Sequence, residues 1–207
     1  HISKDRDWVV IGATADEMLK AGFSSVGKEF PVFLHPITKE EYALARKERK
    51  VGSGHKGFIC DFTPDITLEE DLIRRDLTIN AMAQADSGEI IDPYNGLKDI
   101  KDKYLHHVSD AFIEDPLRVL RVCRFLARFS NLGFKIHSDT KSLMQKMVEE
   151  GMLDELSAPR VWQEVARALS EDSVESFFIS LQDVNALYVL FDPKLDLDKS
   201  LINNSKF

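Results

Sequence analysis

A chain of 207 residues that is 43% hydrophobic and 30% charged can build a packed core and does not have the composition of a disordered tail. Its formal net charge of −8 gives no bulk signature of a nucleic-acid binder, although a local basic surface can act within an acidic protein. No apolar run reaches the ~18 residues that span a bilayer, no signal peptide opens the chain, and Cys60 and Cys123 lack metal-ligand spacing, so a cytoplasmic protein without a membrane partner is expected.

Residues 4–13 read KDRDWVVIGA, in which Asp5 and Asp7 precede the apolar run Trp8-Val9-Val10-Ile11. Residues i and i+2 of a strand share a face, so two carboxylates there repel unless a cation lies between them. Mg²⁺ prefers such hard oxygen ligands. A D-x-D pair is weak evidence alone, and a solvated strand end explains most of them. An aspartyl-phosphate phosphatase fits less well, because its acids would follow the apolar strand and not precede it.

Thr14 and Glu17 have capping-box spacing and Gly22 is a C-terminal stop, so residues 15–21 are predicted to be a short helix. FPVFLHP and EEYALAR read as strands joined by a turn at Pro36 and Thr38. Glu41, at the start of the second, is the candidate for a third carboxylate supplied by a neighbouring strand. Residues 46–57, RKERKVGSGHKG, set Arg46, Lys47, Arg49, Lys50, His55 and Lys56 against Glu48 alone. A surface loop is the plain reading of this stretch, and a phosphate or RNA clamp the sharper one.

Thr67 and Glu70 form a second capping box, and TLEEDLIRRDLTINAMA is predicted to be helical. Consecutive Arg74 and Arg75 on one helix point in different directions, so one can serve structure while the other reaches a ligand, with Asp76 holding one of them. SGEIIDPYNG reads as a short strand ended by a turn. Further helices are predicted over residues 116–130, 138–150, 159–170 and 174–188, with a domain boundary near 108–112.

The first of these helices, in IEDPLRVLRVCRFLARF, starts with Asp115 as an N-cap and Pro116 at the first helical position. Arg118, Arg121 and Arg124 recur every third residue among apolar neighbours, and buried arginines need partners. A local Asp115–Arg118 pair with an arginine stripe reaching solvent would suffice. The alternative is a nucleotide pocket. Carboxylates only accept hydrogen bonds and guanidinium groups only donate them. A coplanar Asp/Arg pair therefore matches the amino donor and ring-nitrogen acceptor of cytosine or adenine, and would be left unpaired by uracil or guanine.

With these motifs in view, the chain resembles the class II tRNA nucleotidyltransferases, the CCA-adding enzymes, of the bacterial multifunctional type. KDRDWVVIGAT, EEYALARKERK, LEEDLIRRDLTINAMA, IIDPYNGLKDI and EDPLRVLRVCRFLARF occur in order across residues 4–130, and SAPRVWQEVARAL continues the likeness. The resemblance implies an α+β fold: a polymerase-β-like nucleotidyltransferase head over residues 1–110 and an all-helical neck and body over 111–207. It implies Mg²⁺ as cofactor on Asp5 and Asp7, with Glu41 as the third carboxylate, and tRNA, ATP and CTP as partners. Nucleotide contacts map onto Arg75, Asp115, Arg118, Arg121 and Arg124; Asp115 and Arg118 would template the base, and the other arginines bind phosphate or fix the pocket. The family's G-G-x-x-R-D element and its C-terminal HD phosphohydrolase domain do not occur in the chain, and the first residue is not Met, so a truncated protein with reduced catalysis is expected. A poly(A) polymerase with the same head, or a non-catalytic nucleotide- or RNA-binding module, are the competing readings.

Overall fold

The computed structural model describes residues 6–26, 32–50 and 58–191. It divides into two compact units, one ending at Arg74 and the other beginning at Arg75.

The first unit carries a four-stranded mixed sheet in the order β1-β4-β3-β2. Its strands are β1 (Asp7–Val10), β2 (Ser24–Ser25), β3 (Val32–Leu34) and β4 (Glu41–Leu44). β1 and β4 run parallel, while β3 is antiparallel to both β4 and β2. Between β1 and β2, α1 (Ala15–Lys20) starts at the expected capping box, in which Thr14 Oγ1 accepts from the Glu17 N–H and the Glu17 carboxylate accepts from the Thr14 N–H. Met18 of α1, Phe33 of β3 and Leu44 of β4 form the buried cluster of this sheet; fully burying side chains of this size contributes about 1.5–3 kcal/mol each. Two departures from the predicted pattern follow. Lys47–Lys50, expected within a loop, form β5, paired antiparallel with β6 (Phe58–Asp61). The predicted long helix after Thr67 shrinks to α2 (Leu68–Leu72).

In the second unit the chain after α2 is drawn into the helical core. Leu77 is fully buried in an extended conformation and bridges His107, which breaks the helical run before a 3-10 turn at Thr78–Asn80. Arg74 and Arg75 therefore follow α2 in a turn and do not lie on one helix. The hairpin β7 (Ala83–Gln84) and β8 (Ile90–Ile91) leads to α3 (Gly96–Asp102). The Asp92 carboxylate receives the Gly96 and Leu97 N–H groups at 2.7 and 2.9 Å, which satisfies donors that the first turn leaves open. Asn95 takes a left-handed φ of 62°. At Gly96 an added Cβ would meet the Thr78 carbonyl oxygen at 2.4 Å, so the turn in DPYNG admits no side chain there.

The helical part comprises α4 (Leu117–Phe129), α5 (Ser138–Glu149), α6 (Ala158–Ala168), α7 (Val174–Asp183) and α8 (Leu187–Leu190). The predicted helix 174–188 is split in two by Asn185, whose φ of 63° no helix accommodates. β9 (Tyr104–Leu105) and β10 (Lys135–Ile136) form a parallel pair beside α4. Leu77, Leu105, Phe112, Leu120, Met144 and Phe177 belong to one buried core. Residues 75–107 thus pack with the helices that follow them.

Candidate functional site

Asp7 and Glu41 are register partners at the starts of the parallel strands β1 and β4. Strands lie about 4.8 Å apart and partners in register share a face, so the two carboxylates stand side by side; both residues are exposed. The next pair in register, Trp8 and Tyr42, stacks with ring centroids 5.4 Å apart and planes at 9°, which locks the alignment from the other face. Asp5 lies outside the described residues.

Within the first unit, buried Asp71 fixes the segment leading to the double arginine. Its Oδ1 accepts from the Arg46 N–H at 3.1 Å and from Arg74 Nη2 at 2.7 Å. Sequence spacing pointed to Asp76 as the residue holding Arg74 or Arg75, but Asp76 is taken by Arg121 of α4, 45 residues away. Arg74 is thus a structural group. Arg75, half-buried, donates from Nη1 to the Asn80 carbonyl at 3.3 Å.

The Asp76–Arg121 contact is a built joint. Arg121 Nε and Nη2 reach Asp76 Oδ2 at 2.7 and 2.6 Å, while Oδ1 accepts from the Leu77 N–H at 2.9 Å and Asn80 Nδ2 at 3.0 Å. Burial pushes the Asp76 carboxyl upward, but the Arg121 charge and these hydrogen bonds outweigh it and hold the group below the usual carboxylate range. Arg121 moves the opposite way: burial lowers it, Asp76 more than compensates, and its guanidinium becomes a stronger base.

At the start of α4, Asp115 caps the helix: its Oδ1 accepts from the Leu117 N–H at 3.1 Å, and its carbonyl from the Arg118 N–H at 3.0 Å. Arg160 of α6 reaches the same carboxylate, with Nη2 at 3.1 Å from Oδ1 and 2.9 Å from Oδ2. Arg118 is buried and donates from Nη1 to the Ala111 carbonyl at 2.8 Å. Asp115 Oδ2 and the Arg118 fork are held on neighbouring turns of chain, one an acceptor and the other a donor. Arg124 lies deeper, its side chain 7% exposed; Nε donates to Glu164 Oε2 at 2.7 Å and the guanidinium lies 4.6 Å above the Phe125 ring. Glu164 and Arg160, both on α6, escaped the sequence reading. SAPRVWQEVARAL holds them in view, but nothing in its spacing ties them to α4.

A separate set of donors lies elsewhere in the second unit, where one ligand atom each from His106, His137 and Asp139 fall within 4.8 Å of one another. No helix among the described residues is long and apolar enough to cross a membrane.

Comparison with known proteins agrees with these features. Residues 10–106 match the family described as "Poly A polymerase head domain", and residues 133–198 match "Probable RNA and SrmB- binding site of polymerase A". The chain is 59% identical over 206 residues to the "Multifunctional CCA protein" of Pasteurella multocida (strain Pm70), an alignment covering 100% of this chain and 49% of that protein. It thus spans about half the length of this curated relative. Among solved structures, a CCA-adding enzyme in apo form superimposes with a TM-score of 0.79 at 28% identity, over 97% of this chain and 48% of the other. A tRNA nucleotidyltransferase complexed with a primer tRNA and an incoming ATP analogue gives 0.72 at 30% identity, over 97% and 57%. The α+β unit followed by helices is therefore a polymerase-β-like nucleotidyltransferase head with its helical continuation.

Proposed function

We propose that this chain, which belongs to the CCA-adding enzyme family, carries the nucleotidyl-transfer machinery of a protein that adds C, C and A to the 3′ end of tRNA from CTP and ATP without a nucleic-acid template. The observation that carries the reaction class is the register of Asp7 against Glu41 on adjacent parallel strands. Two exposed, directly opposed carboxylates offer only hard oxygen donors, which suits Mg²⁺ with its retained waters and substrate phosphates. Asp5 and Asp7, with Glu41 as the third carboxylate, would hold the metal. When bound, Mg²⁺ lowers the pKa of the attacking tRNA 3′-hydroxyl and offsets charge on the departing pyrophosphate. The oxygen–phosphorus bond forms at the α-phosphate as its bond to pyrophosphate breaks.

Asp115 and Arg118 read the base. The carboxylate accepts from the exocyclic amino group that cytosine and adenine share, and the guanidinium donates to the adjacent ring nitrogen. Arg160 keeps the Asp115 carboxylate oriented, and Oδ2 retains a lone pair for the base. Arg75 meets phosphate. Arg121 and Arg124 fix the pocket through Asp76 and Glu164, in keeping with their burial against those partners.

The test is equilibrium binding of all four nucleoside triphosphates, followed by extension of tRNA lacking its 3′ end with Mg²⁺. CTP and ATP should bind in preference to UTP and GTP, and CTP with ATP should extend the tRNA by the triplet. Asp115→Ala should remove the base preference, and Asp7→Asn should abolish extension while leaving CTP binding and the melting temperature intact. Binding of all four triphosphates alike would sink the base-reading assignment. ATP-only tailing would favour a poly(A) polymerase, the activity named by the family description of the head.

A further inference from the structure

We propose that His106, His137 and Asp139 form a binding site for a divalent transition-metal ion, separate from the carboxylates at Asp7 and Glu41 and independent of the reaction assigned above. The backbone builds the site. β9 and β10 pair in parallel with Tyr104 opposite Lys135 and Leu105 opposite Ile136, so the next residues on the two strands, His106 and His137, emerge side by side. Their rings stack with centroids 3.9 Å apart and planes at 24°. The His137 N–H is tied to the Leu105 carbonyl at 3.0 Å, which fixes the offset between the two strand ends. α5 starts immediately afterwards and brings Asp139 to the same place, with Oδ2 at 3.8 Å from His137 Nδ1. One donor atom from each of the three residues falls within 4.8 Å of the others.

The surroundings of His106 fit a metal ligand better than a spare surface imidazole. Its Nδ1 faces Asp99 Oδ2 at 3.4 Å, and that carboxylate, itself 7% exposed, accepts from Thr78 Oγ1 at 2.7 Å. A metal-bound histidine commonly gives its second ring N–H to such an anchored carboxylate, which sets the tautomer and leaves the other nitrogen for the ion. His137 Nδ1 accepts only a long bond, 3.3 Å, from the Asp139 N–H, so its lone pair can be redirected to a metal at small cost. The Tyr104 ring packs edge-on against His137 with centroids 5.2 Å apart, limiting how far that ring can swing.

Two imidazoles and one carboxylate suit Zn²⁺, Co²⁺ or Ni²⁺, whereas Mg²⁺ calls for oxygen donors. Donors immediately after β9, immediately after β10 and in the first turn of α5 make the bound ion a clip across the ends of three elements of the second unit, with a coordination position left for water.

The experiment uses the whole chain, stripped with chelator and titrated with Zn²⁺ alone and, in parallel, with Co²⁺ followed by its visible absorption. The expected result is one tight Zn²⁺ per chain, a cobalt spectrum of nitrogen–oxygen coordination, and a rise in melting temperature with metal. Asp139→Asn and His106→Gln should each weaken binding at least tenfold and abolish that rise, while a control substitution, His35→Gln, leaves both intact. Because Asp139 is exposed, its variant is expected to fold, and circular dichroism checks this. Zn²⁺ affinity unchanged in both site variants would overturn the proposal, as would loss of binding in His35→Gln or equal competition by Mg²⁺.

Discussion

Replacing Arg121 with methionine should destabilise the second unit by about 3 kcal/mol at neutral pH. Arg121 supplies the two hydrogen bonds on Asp76 Oδ2, at 2.7 and 2.6 Å, while Leu77 and Asn80 still hold Oδ1 in the variant. Removing one partner of a buried ion pair costs about 3–5 kcal/mol. The Arg121 side chain is 33% exposed, so water can reach part of the vacated space and the low end of that range applies. For a unit of this size the loss is a fall of roughly 10 °C in melting temperature, readable by circular dichroism or urea unfolding. The pH dependence separates this mechanism from simple loss of packing. In the parent, the folded-state pKa of Asp76 is depressed, so its stabilising contribution is complete above the unfolded value and is lost as pH falls through the folded one. In the variant the bonds from Leu77 and Asn80 remain but the Arg121 charge is gone, so burial is opposed less and the folded pKa rises above the parent's. The penalty is full at neutral pH and fades as acid protonates Asp76. The gap between the two proteins should therefore narrow below about pH 4. A gap under about 1 kcal/mol, or one that does not change with pH, would refute the reasoning.

Gly96→Ala should cost about 1–3 kcal/mol in urea unfolding, because the new methyl group enters the Thr78 carbonyl; an unchanged midpoint would mean the turn yields freely. Arg124→Leu alone should cost about 3–5 kcal/mol, whereas Arg124→Leu with Glu164→Leu should recover much of it, since both side chains are nearly fully buried. Additive losses in that double-mutant cycle would speak against a coupled pair. Of the two thiols, Cys123 should resist a disulfide reagent at pH 8 until the protein unfolds, because burial pushes its pKa up to about 12. Cys60 is only partly buried and should react first; prompt modification of both would contradict the packing around α4.

Local signals in the sequence carried far where they were complete. The capping boxes at Thr14 and Thr67 start helices where expected, and the helix of IEDPLRVLRVCRFLARF begins within one residue of its predicted start. The misread stretch after Thr67 has a physical cause. Leu77 and Ala81 have the i, i+4 spacing of one helix face, but Leu77 gains full burial by leaving the helix and bridging His107, and Asp76 then supports its N–H. A competition of that kind is settled by residues 30 positions away, which no window of sequence contains. β5 was hidden differently: Lys47–Lys50 carries no apolar residue, so alternation had nothing to mark. At the candidate site, the residue types were legible and the partnerships were not. Arg160 and Glu164 are bound to α4 through space, at separations of 45 and 40 residues.

The joint between Asp76 and Arg121 also acts as a gauge. One peptide bond separates Asp76 from Arg75, and one helical turn separates Arg121 from Arg118. The main-chain anchors of the two arginines assigned to opposite ends of a nucleotide are thus bolted to the same ion pair, and the span between them is set by covalent geometry at both ends. Under the proposed function, a change from one nucleotide to the next has to come from carrying this gauge as a whole or from swinging side chains on it. Stretching it would require the joint to open. A crosslink from α4 to the chain beside Arg75 should then leave nucleotide choice untouched, which makes the span a place where rigidity is free.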